Sequence, residues 1–281
     1  MPQSGQMQHR AYTTPGIGGL ELYAQAWLPD IEPRAVIVLA HGLAEHSGRY
    51  AALAAELVER EFAVCALDHR GHGRSPGSRA NIGRFQHLVS DFCAFAGRCA
   101  RQHPGTPVYL LGHSMGGAVA FGSALRLQDS LRGLVLSAPA LASGETVSKL
   151  KELLVRSLSS IAPNTGALTL PASAVSRDPS IVKAYEADPL VHHQSIPART
   201  LVELLDAMRG FPASAPQLRL PTLILHGTAD SLVPLVATRP VYQAFGSRER
   251  VLKLYRGLYH EVFNEPERAQ VVADLLRWLE R

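Results

Sequence analysis

Six short, nearly unbroken apolar runs punctuate the chain: AVIVLAHG (35–42), FAVCALD (62–68), PVYLLG (107–112), RGLVLSAP (132–139), PTLILHG (221–227) and RVLKLY (250–255). A strand with one wet face alternates apolar and polar residues. Continuous Val, Ile and Leu runs instead read as strands buried on both faces, which is the habit of parallel sheets covered by helices. Helical spacing fills the gaps, at 50–61, 85–101, 115–127, 236–245 and 267–279, and LELYAQAW (20–27) adds a further strand. The alternation predicts an α/β fold, with a mostly parallel central sheet flanked by helices. At 281 residues and 46% hydrophobic, the chain can bury one large core with an insertion.

Residues 140–216 break the rhythm, with no short β-branched run bounded by turns. VSKLKELLVRSLSSI (147–161) carries Val147, Leu150, Leu154, Leu158 and Ile161 at helical spacing, and ARTLVELLDAMRG (198–210) is a second amphipathic helix. The expectation is a core of residues 1–139 and 217–281 with a helical cap insertion at 140–216. An insertion at a strand's carboxyl end lies over the ligand crevice of an open α/β sheet.

Several function classes fall away. The net charge is +4, and the basic residues are scattered, so no nucleic-acid footprint is present. Cys65, Cys93 and Cys99 have no zinc spacing, and an odd count suits free thiols in a reducing compartment. The N-terminal stretch lacks an apolar signal region, and no run reaches the roughly 18 apolar residues of a spanning helix. The expected location is cytoplasmic. There is no dinucleotide fingerprint, P-loop or zinc-protease motif, so no cofactor is expected. Asp68, His69 and His72 share a glycine-rich loop that reads as a hydrogen-bonded turn rather than a metal site. The side chains of adjacent His192 and His193 diverge, so no metal is expected there either.

Gly112-His113-Ser114-Met115-Gly116 fits G-x-S-x-G, with a strand before it and a helix after. In that setting the serine occupies a tight strand-to-helix turn that lifts its hydroxyl clear of the sheet. The flanking glycines are needed because a Cβ there collides with backbone. A serine nucleophile needs a base, and the base needs an orienter, in the chain order Ser, Asp/Glu, His. Asp230, in LILHGTAD, and His260, in KLYRGLYH, each follow a strand in that order. The candidate triad is Ser114, Asp230 and His260. The loop after the early strand at His41-Gly42-Leu43 makes the backbone N–H groups of Leu43 and Met115 the candidate oxyanion donors. Glu45 and Arg49 read as a pair pinning that loop, contributing under about 1 kcal/mol on a surface.

The motifs HGLAEHSGRY (41–50), DHRGHGRSPG (68–77), GHSMGG (112–117), LSAPAL (136–141), AYEADPL (184–190), LHGTAD (225–230) and LYHEVFNEPER (258–268) resemble the monoacylglycerol lipases of the α/β-hydrolase superfamily. The likeness covers nearly the whole chain and is nearest to bacterial, mycobacterial-type members. It implies the same triad and oxyanion donors, no cofactor, and a monoacylglycerol or other single-chain lipid ester as substrate. It implies that Tyr185, in A-Y-x-x-D-P-L, faces the glycerol end. Vertebrate members carry a cysteine where Val233 stands here. Lysophospholipase and broad carboxylesterase activity are the alternatives within the class, and a catalytically silent binding protein is the alternative outside it. Leu154 and Leu158 are expected to line an acyl tunnel under the cap, whose outer surface makes transient contact with membrane or micelle.

Overall fold

The computed structural model describes residues 7–143 and 149–281. The chain opens with strands β1 (Gln8–Pro15), β2 (Glu21–Leu28) and β3 (Ala35–Ala40). Helix α1 (Ala51–Val58), β4 (Phe62–Leu67), α2 (Phe85–Gln102), β5 (Val108–His113), α3 (Met115–Leu127) and β6 (Gly133–Ser137) follow. An excursion then contributes α4 (Lys149–Ile161), β7 (Gly166–Leu168), α5 (Pro179–Ala187), β8 (Ile196–Pro197) and α6 (Ala198–Ser214). The chain returns through β9 (Thr222–Gly227), α7 (Leu235–Gln243), β10 (Arg250–Tyr255) and α8 (Arg268–Leu279).

The main sheet has eight strands in the order β1-β2-β4-β3-β5-β6-β9-β10, and every pair from β4 to β10 is parallel. Only β2 runs against the other strands, pairing antiparallel with both β1 and β4 near one edge. From β3 the chain moves outward to β4, then crosses back to β5 on the other side. The carboxyl ends of β3 and β5 therefore flank a topological switch point, where open sheets bind their ligands. Register makes this concrete: Ala40 pairs with Gly112, and His113 with Ser137. The loops leaving β3, β5 and β6 thus emerge level with one another.

Two hydrophobic layers hold the sheet, and strand period decides which residue enters which. Val36, Val38 and Ala40 face α2 and α3, while Ala35, Ile37 and Leu39 face α1 and α8. Along α2, Leu88, Val89, Phe92, Phe95, Ala96 and Cys99 bury one stripe at helical spacing. Phe92 and Phe95 are each at most 1% exposed, and a fully buried phenylalanine contributes about 1.5–3 kcal/mol.

The expected strands and helices outside the excursion are present, with ends moved by one to a few residues. β1 has no counterpart in the sequence reading. It is a largely exposed edge strand without an apolar run, held by pairing with β2. α5 was likewise unexpected, although its start signals are in the sequence: Asp178 accepts the Ser180 N–H at 2.8 Å, and Pro179 occupies the first turn. α6 continues past Gly210 and Pro212 because Phe211 packs edge-on against Phe121 and Phe85, with centroids 5.1 and 5.9 Å apart. Tertiary packing overrides the local breakers there. The N-terminal end of the expected helix at 147–161, with Val147, lies outside the described residues.

Candidate active site

Ser114 stands between β5 and α3 at φ 53°, ψ −118°. A non-glycine residue at positive φ stores strain of order 1–3 kcal/mol and persists only where its surroundings impose it. Here they do. A Cβ on Gly112 would lie 2.2 Å from the Gly116 carbonyl oxygen, and one on Gly116 would lie 2.1 Å from the Ala40 carbonyl oxygen. Helix α3 therefore rests directly on the ends of β3 and β5, and the serine projects from the turn.

Asp230 follows β9, and His260 lies in the loop after β10. His260 Nδ1 is 2.8 Å from Asp230 Oδ2. An ionised carboxylate only accepts, so Nδ1 carries the proton and Nε2 of the neutral ring is left as an acceptor. Asp230 Oδ1 accepts the N–H groups of Leu232 and Val233, both at 2.9 Å, and His226 Nε2 stands 3.4 Å from Oδ2. Burial alone would raise this carboxyl. The bonds from His226, His260 and the Val233 N–H instead hold it well below the usual carboxylate range.

The loop after β3 is fixed from within. His69 donates its N–H to His41 Nε2 at 2.9 Å, so His41 Nδ1 donates to the Gly42 carbonyl at 2.8 Å. The Gly42 N–H is taken by Glu45 Oε1 at 2.6 Å. Among the described residues, neither the Leu43 nor the Met115 N–H has an intramolecular acceptor. Both residues line a cavity of about 150 Å³, together with Ser114, His260 and Tyr185. Its remaining walls are mainly apolar: Leu201, Leu204, Leu205 and Met208 of α6 project into it at helical spacing. A second chamber of about 430 Å³ adjoins it, sharing Leu170, Leu205, Met208, Leu232 and Val233 as walls.

Leu154 and Leu158 line neither chamber. Leu154 is 61% exposed and Leu158 is half-buried. α4 is turned so that Glu152, Val155 and Arg156 line the second chamber, and Glu152 pairs with Arg209 of α6 at 2.6 Å and Arg156 with Asp206. Side-chain surroundings at Leu150 lie outside the described residues. The cavity-lining stripe was instead legible in ARTLVELLDAMRG, which reads as amphipathic without an assigned role. Glu261 is a further wall residue that sequence reasoning missed.

Glu45 and Arg49 do not form a surface pair: their side chains are 4% and 10% exposed. Burial would raise the Glu45 carboxyl, but the Arg49 guanidinium beside it and the Tyr50 hydroxyl bring it down to about 2. Burial pushes the His113 imidazole down to about 4, with His260 adding to the effect from a ring 4.6 Å away. The Asp68 loop is a hydrogen-bonded brace: Asp68 Oδ1 accepts from Ser47 N and Oγ at 2.8 and 2.6 Å, and Oδ2 from Arg74 N at 2.8 Å.

A parallel sheet of this order, with a strained serine elbow and a histidine–aspartate pair at the carboxyl ends, is the α/β-hydrolase fold. The family model for serine aminopeptidase S33 matches residues 31–267. A monoacylglycerol lipase of Mycolicibacterium smegmatis is 42% identical over 264 residues, 94% of each chain. Human monoglyceride lipase is 35% identical over 248 residues, 88% of this chain and 82% of its own. The crystal structure of Paleococcus ferrophilus monoacylglycerol lipase superposes with a TM-score of 0.78 at 30% identity, covering 98% of both chains. The chain belongs to the serine aminopeptidase S33 family and, within it, to the monoacylglycerol lipases.

Proposed function

We propose that this protein is a carboxylic ester hydrolase that cleaves monoacylglycerols to fatty acid and glycerol through an acyl-enzyme on Ser114. The observation that carries this reading is the shared cavity. Ser114, His260, Leu43 and Met115 all line one largely apolar cavity, and Asp230 lies 2.8 Å from the histidine, which supports this reading. Ser114 Oγ attacks the ester carbonyl as His260 Nε2 takes its proton, and Asp230 stabilises the imidazolium. The Leu43 and Met115 N–H groups receive the oxyanion. Collapse returns the proton to the departing glycerol oxygen, and water then repeats the sequence on the acyl-enzyme to release the fatty acid. No cofactor enters.

Residues 140–216 act as the cap over the core of residues 1–139 and 217–281. One acyl chain occupies the 150 Å³ chamber and continues into the 430 Å³ chamber past Leu205 and Met208. Tyr185 faces the glycerol end. The outer side of α4 leaves Leu153 and Leu154 each 61% exposed and Ile161 85% exposed, which supports contact with a lipid surface from the aqueous side. Among the described residues no helix is long and apolar enough to cross a membrane.

The test is a hydrolysis panel of mono-, di- and triacylglycerols, lysophospholipid and aminoacyl amides, run beside Ser114→Ala. Preference for the monoacylglycerol is expected, with a loss on the order of 10⁴-fold or more in the folded mutant. Near-wild-type turnover in Ser114→Ala rules out the nucleophile. Equal rates on mono- and triacylglycerols refute a channel that admits a single chain.

A further inference from the structure

One buried arginine touches both loops on which the chemistry depends. Arg49 Nη1 donates to Glu45 Oε2 at 2.7 Å and to Glu261 Oε1 at 2.6 Å, while Nη2 donates to Glu261 Oε2 at 2.7 Å. Glu45 passes the constraint on: its Oε1 accepts the Gly42 N–H at 2.6 Å and the Tyr50 hydroxyl at 2.7 Å. Gly42 immediately precedes Leu43. Glu261 immediately follows His260, and its Oε2 also accepts from Asn264 Nδ2 at 2.8 Å. The guanidinium lies 4.7 Å over the Tyr185 ring, so the cap side of the cavity packs on the same group.

The cluster is close to the reacting atoms. A Cβ placed on Gly42 would lie 2.9 Å from Glu45 Oε1 and 3.3 Å from Ser114 Cβ. Glu45 and Glu261 both stand on the cavity wall beside Ser114 and His260. The three charged side chains are at most 10% exposed. Two carboxylates around one guanidinium in such a place are held by five charge-assisted bonds from Arg49, Gly42 and Tyr50, and bonds of this kind are the short, directional ones. Burial would lower the arginine, but Glu261 and Glu45 raise it above its ordinary value, so the cation persists.

We propose that Arg49 is a positioning residue that holds the oxyanion-donor loop and the histidine loop in register, with Glu45 and Glu261 as its two anchors. This rests on the esterase reading above. Arg49 reaches the reaction through the Leu43 N–H and the His260 ring. Its loss should therefore appear in turnover rather than in affinity. A displacement of about 1 Å in such groups lowers rate by about 10²-fold.

The experiment measures kcat and KM for wild type, Arg49→Met, Arg49→Lys and Glu261→Gln on a short p-nitrophenyl ester and on a monoacylglycerol. Active sites are counted by end-point titration with a fluorophosphonate. Per titrated site, Arg49→Met should lose about 10²-fold in kcat on both esters, with KM within about threefold. Glu261→Gln should lose about tenfold, and Arg49→Lys should recover part of the Arg49→Met loss. A loss confined to KM for the monoacylglycerol, with normal kcat on the short ester, overturns the proposal. So does normal kcat per titrated site with fewer sites, which is what a merely structural role gives. Should Arg49→Met not fold, the isosteric Glu261→Gln decides: wild-type kcat per site in that variant refutes the bridge. A wild type that neither titrates nor cleaves the short ester overturns the esterase reading itself, and the bridge with it.

Discussion

Gly116→Ala is the smallest change that should separate the elbow from the sheet. The added methyl would meet the Ala40 carbonyl oxygen at 2.1 Å and the His41 carbonyl oxygen at 2.4 Å. Both neighbours are backbone atoms rather than flexible side chains: Ala40 ends β3, in register with Gly112, and His41 follows it. Reaching the near edge of ordinary contact, 3.4 Å, requires a separation of about 1.3 Å. That movement falls on the first turn of α3, which carries Met115. Overpacking of this kind costs about 1–3 kcal/mol, which for a domain of this size lowers Tm by about 2–4 °C per kcal/mol. The kinetic effect should be larger, since the Met115 N–H must lie within about 3 Å of the oxyanion and a displacement near 1 Å costs about 10²-fold. Gly122→Ala, on the same helix, is the control. Its Cβ would meet side-chain atoms and no backbone, with Val89 Cγ2 nearest at 3.1 Å and Val89 Cγ1 and Phe85 Cε1 in ordinary contact at 3.7 and 3.8 Å, and helix propensity favours alanine by about 1 kcal/mol. Melting curves and kcat on a short p-nitrophenyl ester check both. A folded Gly116→Ala enzyme with wild-type kcat would show that the donor loop and elbow need not be in contact, and the oxyanion assignment would fall.

Asp230→Asn should lower kcat by about 10⁴-fold in a folded protein, because an amide presented to His260 Nδ1 favours the wrong tautomer; unchanged kcat would point to another orienter. Acidification should destabilise the fold in two stages, read by chemical denaturation across pH. His113 and His72 are neutral when buried, at about 4 and about 3 against 6.5, so the unfolded chain binds their protons first and stability falls as pH drops from 6.5 toward 3. Glu45, at about 2 against 4.5, contributes stability that is present above pH 4.5 and lost below it, so a flat stability curve from pH 6.5 to 3 contradicts these assignments. Met208→Trp should block the neck between the two chambers, flattening a chain-length dependence of up to about 0.8 kcal/mol per methylene; kcat/KM falling equally for short and long acyl chains would mean that the neck is not on the acyl path.

The sheet was legible because both of its signals are local. Each parallel strand inside the sheet is a nearly unbroken apolar run, with only the edge strand β10 interrupted by Lys253, and each elbow glycine lies within a few residues of the serine it serves. The order Ser114, Asp230, His260 was legible for a related reason: a parallel sheet delivers every strand's carboxyl end to one edge, so residues distant in sequence converge without any pairing information. The edge strand β1 carries neither signal. Its residues are mostly exposed, and its pairing with β2 along the whole strand is what defines it.

The orientation of α4 and the burial of Arg49 failed for the opposite reason, since both depend on pairs the chain's local pattern cannot specify. An apolar stripe normally turns inward, yet α4 exposes Leu153 and Leu154 and turns Glu152 and Arg156 toward Arg209 and Asp206 on α6, more than 40 residues on. Glu45 and Arg49, four residues apart, have the spacing of an ordinary exposed pair. What makes them otherwise is Glu261, 212 residues from Arg49. A lone buried glutamate–arginine pair gains little over an apolar replacement. A guanidinium that shares Nη1 between that carboxylate and a second one costs more desolvation, and stability alone is weak grounds for it. Its position between the Gly42–Leu43 loop and the His260 loop supplies another reason, because a rigid charged bridge there fixes the two groups whose separation sets the rate.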